Sequence, residues 1–261
     1  LGQNIGQKIL NDKKDPGFTP KMKEDISHIL ECAGLIHDIG NPPFGHFGET
    51  AIREWFIRNL SKLEVKGVRV EELLSEQMKQ DFYHFEGNAQ ALRLVSKLHY
   101  LVDEHGMNLT CALLNTIIKY PVSSVDINPE SGNIKEKKMG YYLADQELFE
   151  RITSTTGAEN NRHPLTYILE AADDLAYKTA DIEDAFVKGF ISYYALEKEL
   201  DLLEEKEAEK LKKETQNQNG TVAAYRFQPA EKLRTLYQRG EEKGVHNPEA
   251  YAVKNWIISA Q

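Results

Sequence analysis

The chain is 261 residues long, enough for one large domain or two small ones with a sizeable core. Its 41% hydrophobic and 28% charged residues, with only 17 Gly and 9 Pro, exclude the disordered, collagenous and membrane classes, and no apolar run approaches the ~18 residues a span requires. With 41 Asp and Glu against 32 Lys and Arg the net charge is −9, which disfavours nonspecific attraction to nucleic acid or anionic lipid while leaving room for a local basic pocket. Apolar residues recur at intervals of three and four through most of the sequence, and strict alternation with Gly-rich two-residue turns is hard to find, so an all-α fold is expected, with 1–261 as a single large domain. The chain opens Leu-Gly-Gln-Asn-Ile-Gly, with neither an initiator Met nor a targeting segment, and the true N-terminus is expected to lie upstream. Cys32 and Cys111, each in an apolar stretch, form no disulfide framework and fit a reducing compartment, by default the cytoplasm.

In chain order, Thr19-Pro20 starts a helix, Thr19 as cap and Pro20 in the first turn, that runs through Ile26, Ile29, Leu30, Ala33 and Ile36 until Gly40-Asn41-Pro42-Pro43 stops it. Further helices are predicted over roughly 46–60, 68–79, 84–105, 108–119, 144–154, 164–187, 189–213 and 229–240. Segment 121–142, with Pro121, Pro129, Gly132 and Gly140 around Lys135, Lys137 and Lys138, reads as an irregular basic connection of the kind that often carries function. Glu197 to Lys213 is charge-dense and runs into the polar stretch Thr215 to Gly220, which reads as a solvated helix followed by a mobile loop.

The chemistry concentrates in His37-Asp38-Ile39-Gly40-Asn41-Pro42-Pro43-Phe44-Gly45-His46-Phe47-Gly48-Glu49. His37 falls four, seven and eleven residues after Ala33, Leu30 and Ile26, at the end of the buried stripe. Imidazole nitrogen and carboxylate oxygen both ligate divalent cations, and consecutive residues at a helix end can aim both at one ion. A His-Asp dipeptide alone is more often a hydrogen-bonded core histidine beside a capping aspartate. The Gly/Pro turn strengthens the metal reading, because it returns His46 and Glu49 toward the pair. Three apart on one helical face, Glu49 can hold the His46 ring in a chosen tautomer while its other nitrogen faces substrate, although a surface capping pair explains that spacing equally well. In the second segment Asp173, Tyr177 and Asp181 stand at i, i+4 and i+8 on one face. A carboxylate on a semi-apolar face needs a counter-charge, which makes Asp173 a reasonable distal ligand; a solvated acidic face accounts for Glu183 and Asp184 but poorly for Asp173.

His37-Asp38 with Gly-Asn-Pro-Pro-Phe-Gly-His, Phe85-Glu86-Gly87-Asn88-Ala89-Gln90, and Glu-Ala-Ala-Asp-Asp with Tyr177 and Asp181 resemble, in order across 32–184, the deoxyguanosinetriphosphate triphosphohydrolases of the HD-domain superfamily. The resemblance implies an all-helical HD fold, a divalent cation such as Mg or Mn, and hydrolysis of a dNTP, dGTP first, to deoxynucleoside and inorganic triphosphate. It implies His37, Asp38 and Asp173 rather than Asp174 as metal ligands, His46 as catalytic histidine supported by Glu49, and Tyr177 and Asp181 on the sugar and phosphate side. Lys119, Tyr120 and Lys138 match positions that meet the phosphates, and Asn88 with Glu86 lies near the active site. A homo-tetramer or hexamer and single-stranded nucleic acid as a partner are further implications, with the 189–213 surface as a candidate interface. The family also uses a histidine upstream of the His-Asp pair. No histidine precedes His28 here, and His28, nine residues before His37, is about half a turn out of phase, so truncation before residue 1 is expected and looser metal binding with it. Two alternatives stay open: an HD-type phosphomonoesterase or phosphodiesterase, and a noncatalytic dNTP-sensing or single-strand-binding module.

Overall fold

A computed structural model describes residues 1–12, 15–100, 103–159, 161–216 and 228–260, without the side chains of 211–216 and 260. The described residues are overwhelmingly helical, as expected for an all-α chain. Where the sequence suggests one large domain, they group into two compact units, Leu1–Ala171 and Ala172–Gln261.

In the first unit, α1 (Gly2–Asp12) packs on α2 (Pro20–Ile36), whose N-terminus is capped by Thr19 Oγ1 accepting from the Met22 N–H at 3.2 Å. After the His37–Phe44 turn comes α3 (Gly45–Asn59). The helix predicted over 68–79 is replaced by a hairpin, β1 (Glu64–Val65) against β2 (Val68–Arg69), and two short helices, α4 (Val70–Leu73) and α5 (Glu76–Tyr83). Lys66 and Gly67 take φ of 52° and 80°, the paired left-handed turn that matches strand twist, and Ser75 Oγ accepts from the Met78 N–H at 3.3 Å to start α5 afresh. The segment predicted as one helix over 84–105 is α6 (Gly87–Arg93) running into a π-helical turn (Leu94–Leu98), and residues 101–102 fall outside the described residues. α7 (Cys111–Ile117) lies between α2 and α8 (Gln146–Thr156), and buried Ala33, Leu92, Ile117 and Ile152 form their common core. The 121–142 connection holds only single 3-10 turns, as its Pro and Gly content requires.

α9 (Pro164–Val187), at its predicted bounds, carries the chain from the first unit into the second. The second unit comprises the rest of α9 with α10 (Tyr193–Gln216), α11 (Pro229–Glu242) and α12 (Pro248–Ala260), packed around Leu196, Leu233, Val253 and Trp256. Of the polar run Thr215 to Gly220 predicted as a loop, Thr215 and Gln216 close α10 and 217–220 lie outside the described residues. The charged face of α10 is partly structural rather than solvated. Arg234 of α11 pairs with Glu197 at 2.6 Å and with Asp201, and Glu204 Oε1 accepts from the Ala230 N–H at 2.7 Å, capping α11. Cys32 and Cys111 are both free thiols, and among the described residues no helix is long and apolar enough to cross a membrane.

Candidate active site

The site starts where α2 stops. His37 caps the helix with its N–H donating to the Ala33 carbonyl at 2.9 Å, and Ile39 and Asn41 close successive turns onto Ile36 and Asp38. Phe44 and Gly45, at φ of 67° and 54°, then reverse the chain so that α3 begins within one residue of His46. Gly40 is obligatory in this turn: a Cβ there would stand 2.1 Å from the Gly87 carbonyl oxygen and 2.2 Å from the Ala91 nitrogen. The turn therefore lies directly on the backbone of α6. Gly40→Ala is expected to lose about 1–3 kcal/mol of stability or more, the range for overpacking, measurable as a lowered urea midpoint.

The His37 side chain is 16% exposed and its Nδ1–H donates to the Gly34 carbonyl at 2.9 Å. That bond places the lone pair of the neutral ring on Nε2, which sits 3.5 Å from Asp38 Oδ2. Imidazole nitrogen and carboxylate oxygen so juxtaposed are both ligand types for a divalent cation. A divalent cation suits that pair, and the backbone carbonyl on the far nitrogen is the usual orienting partner of a ligating histidine.

His46 and Glu49 meet on the first turns of α3. Glu49 is 2% exposed while the His46 side chain is 84% exposed, and His46 Nδ1 lies 3.0 Å from Glu49 Oε2. The buried carboxylate thus holds the inner nitrogen and leaves Nε2 on the solvent side. Burial acts to raise the Glu49 carboxyl, but the His46 hydrogen bond, the Gly87 N–H and the charges of Lys138 and Arg53 outweigh it, so the group ends below its ordinary value.

The carboxylate is held on every side. Gly87 N–H at the start of α6 donates to Glu49 Oε1 at 2.8 Å. Arg53, one helical turn on, donates through Nη2 to Glu49 Oε2 at 3.3 Å and to Glu86 Oε2 at 3.0 Å, and through Nε to the Phe85 carbonyl at 2.6 Å. The Lys138 ammonium lies 2.9 Å from Glu86 Oε2 and 3.9 Å from Glu49 Oε2, and Asn88 Nδ2–H donates to Glu86 Oε1 at 2.7 Å. Lys138 and Asn88, matched by resemblance to substrate-contacting positions, thus stand on the fully buried Glu86. Lys138 reaches it because Gly140 allows its strand of the 121–142 connection to touch the Tyr120 carbonyl, where a Cβ would come within 1.7 Å. Tyr120 is buried at 8% exposure, and burial, then Glu86 and Glu170, push its hydroxyl up to about 12. Its neighbour Lys119 is half-buried. Arg53 is the functional residue the sequence reading overlooks; its signal is the i, i+4 spacing from Glu49.

On α9, Asp174 is 73% exposed and pairs with Lys178 at 3.4 Å, whereas Asp173 is half-buried. Of the two adjacent aspartates, Asp173 is the one turned from solvent. Tyr177 is 61% exposed and Asp181 is exposed. His37, Asp38, His46, Glu49, Asn88, Lys119, Tyr120 and Lys138 all belong to the first unit, and Asp173, Tyr177 and Asp181 to the second. Among the described residues no three His, Cys, Asp or Glu side chains group as a metal cage.

Against known proteins, the sequence model of the HD domain family matches residues 5–188. The chain belongs to the HD domain family. It is 49% identical over 259 residues to the deoxyguanosinetriphosphate triphosphohydrolase-like protein of Listeria innocua serovar 6a, covering 99% of this chain and 51% of the relative. It is 39% and 41% identical to the deoxyguanosinetriphosphate triphosphohydrolases of Serratia proteamaculans and Yersinia enterocolitica, covering in each case 74% of this chain and 42% of the relative. These likenesses put the HD chain with the deoxyguanosinetriphosphate triphosphohydrolase family of that superfamily. The chain spans about half the length of the relatives it matches. The HD match takes in every site residue named above and crosses from the first unit into the second along α9.

Proposed function

We propose that this HD chain is a metal-dependent, cytoplasmic dNTP triphosphohydrolase acting on dGTP: water adds to the α-phosphorus, the bond from that phosphorus to the 5′-oxygen breaks, and deoxynucleoside and inorganic triphosphate leave. The observation that carries the reading is the dyad, an exposed imidazole whose inner nitrogen is fixed by a buried, ionised carboxylate. Such a ring has one nitrogen committed and the other open to move a proton, the arrangement a general acid or base requires. His46 Nε2 serves the proton balance of the step, in which attacking water loses one proton and the departing 5′-oxygen gains one.

His37, Asp38 and Asp173 are the residues assigned to hold Mg2+ or Mn2+, and a cation there, when bound, supplies Lewis-acid stabilisation of charge on the phosphate. The half-buried Asp173, beside a solvent-paired Asp174, supports that assignment. Lys119 and Tyr120 are assigned to the triphosphate, Tyr177 and Asp181 to the sugar and phosphate, and Lys138 and Asn88 to the same pocket through Glu86. Relatives named for the dGTP reaction support the choice of substrate.

The test is incubation of the chain with each of the four dNTPs and Mn2+, separating triphosphate, pyrophosphate and phosphate by ion exchange. Deoxyguanosine and triphosphate in equal amounts are expected. Pyrophosphate or phosphate as the first product points instead to a phosphodiesterase or phosphomonoesterase, and nucleotide binding without turnover to a sensing module.

A further inference from the structure

Two carboxylates share one corner of this site, and only one of them belongs to the dyad. Glu49 and Glu86 are 2% and 1% exposed at their side chains, and an oxygen of each lies against the same Arg53 nitrogen, at 3.3 and 3.0 Å. Buried like charges that close do not both stay ionised unless cations offset them; otherwise the pair shares a proton. Here two cations face two anions, Arg53 from α3 and Lys138 from the 121–142 connection.

We propose that Arg53 is a positioning residue that acts as a charge lock, keeping Glu49 and Glu86 ionised together so that Glu49 remains an acceptor for His46 rather than a partner for a proton shared with Glu86. The inference rests on the dyad reading above. Geometry supports it beyond charge: by binding the Phe85 carbonyl through Nε, Arg53 also fixes the stretch Phe85–Gly87, whose Glu86 carboxylate and Gly87 N–H border Glu49. The titratable groups facing this corner are His46 on α3, Glu86 before α6, Tyr120 after α7, Lys138 from the connection, and His84 at the end of α5, which burial and the Arg53 charge hold below its ordinary value. None of these replaces the charge of Arg53: with Arg53 gone, Lys138 alone would face both carboxylates.

The lock predicts a pattern that loss of packing does not. In Arg53→Met, one cation serves two carboxylates, so the Glu49 titration and the acid limb of the kcat profile should move up by about one pH unit or more. At a pH below that limb, kcat should then fall about tenfold, with KM within about twofold of the parent. Arg53→Lys retains the charge without the fork and should recover part of the loss. Most tellingly, Arg53→Met combined with Glu86→Gln removes the competing carboxylate and should return the acid limb to near its original place. An unmoved limb in Arg53→Met, or a double variant no better than the single one, would overturn the lock. Carboxyl carbon NMR titration of Glu49 in the same four proteins reads the lock without turnover: a chain inactive on every dNTP whose Glu49 still titrates higher in Arg53→Met and is restored by Glu86→Gln upholds the lock and sinks the reaction assignment, whereas normal activity with a Glu49 titration indifferent to Arg53 does the reverse.

Discussion

Replacing His46 by Ala is expected to lower kcat on dGTP by about two orders of magnitude or more, the contribution of a positioned acid or base, while leaving KM within a small factor. The expectation follows from where the ring stands. Its side chain is 84% exposed, so truncation opens no core cavity and frees little buried surface. What is lost is the outer nitrogen. Glu49 loses one hydrogen bond but keeps the Gly87 N–H, Arg53 and Lys138, so the fold should tolerate the change and a thermal melt should stay near the parent's. Steady-state kinetics across the pH range checks both halves of the expectation; turnover like the parent's would remove His46 from the reaction.

Replacing Glu49 by Ala should act the other way, costing the fold as well as the reaction. The residue is 2% exposed and answers the His46 ring, the Gly87 N–H and the Arg53 guanidinium at 3.0, 2.8 and 3.3 Å. Taking away the anion of a buried pair leaves uncompensated cations and an orphan backbone donor, typically a loss of about 3–5 kcal/mol, though the partial exposure of Arg53 and Lys138 argues for the lower end. Urea unfolding at pH 7 measures it, and an unchanged midpoint would contradict the network described. Because the Glu49 carboxyl titrates below its ordinary value in the folded chain, the stability it contributes is fully present above the ordinary glutamate value and is lost as pH falls through the lowered folded one. The midpoints of parent and Glu49→Ala should therefore converge in acid.

The parts of this account legible in the sequence are those governed by short-range rules. Thr19-Pro20 announces α2 because cap and first-turn chemistry sit in adjacent letters, and the i, i+3 spacing of His46 and Glu49 is visible without coordinates. The hairpin at 64–69 falls largely in the gap between the helices expected over 46–60 and 68–79, where no apolar period announces the positive φ of Lys66 and Gly67 that makes its turn. α12 escaped notice although its apolar residues pack chiefly on the preceding α11, with α10 closing the cluster. In the site, His37, Asp38, His46 and Glu49 lie within thirteen residues and announce themselves. Glu86 and Lys138 are found only through the resemblance and Arg53 not at all, because the three meet only when Gly40 lets the turn rest on α6 and Gly140 lets the basic connection fold against Tyr120. The distance between those glycines in the chain is what sequence spacing has no means of bridging.

The proposed chemistry depends on the metal set that the resemblance implies, His37, Asp38 and Asp173. Titrating the chain and its Asp173→Ala variant with Mn2+, and reading bound metal by electron paramagnetic resonance, tests that most directly. One Mn2+ per chain in the parent, abolished or greatly weakened in Asp173→Ala, is the predicted result; a full equivalent of Mn2+ retained by the variant, or none bound by the parent at saturating metal, would contradict it.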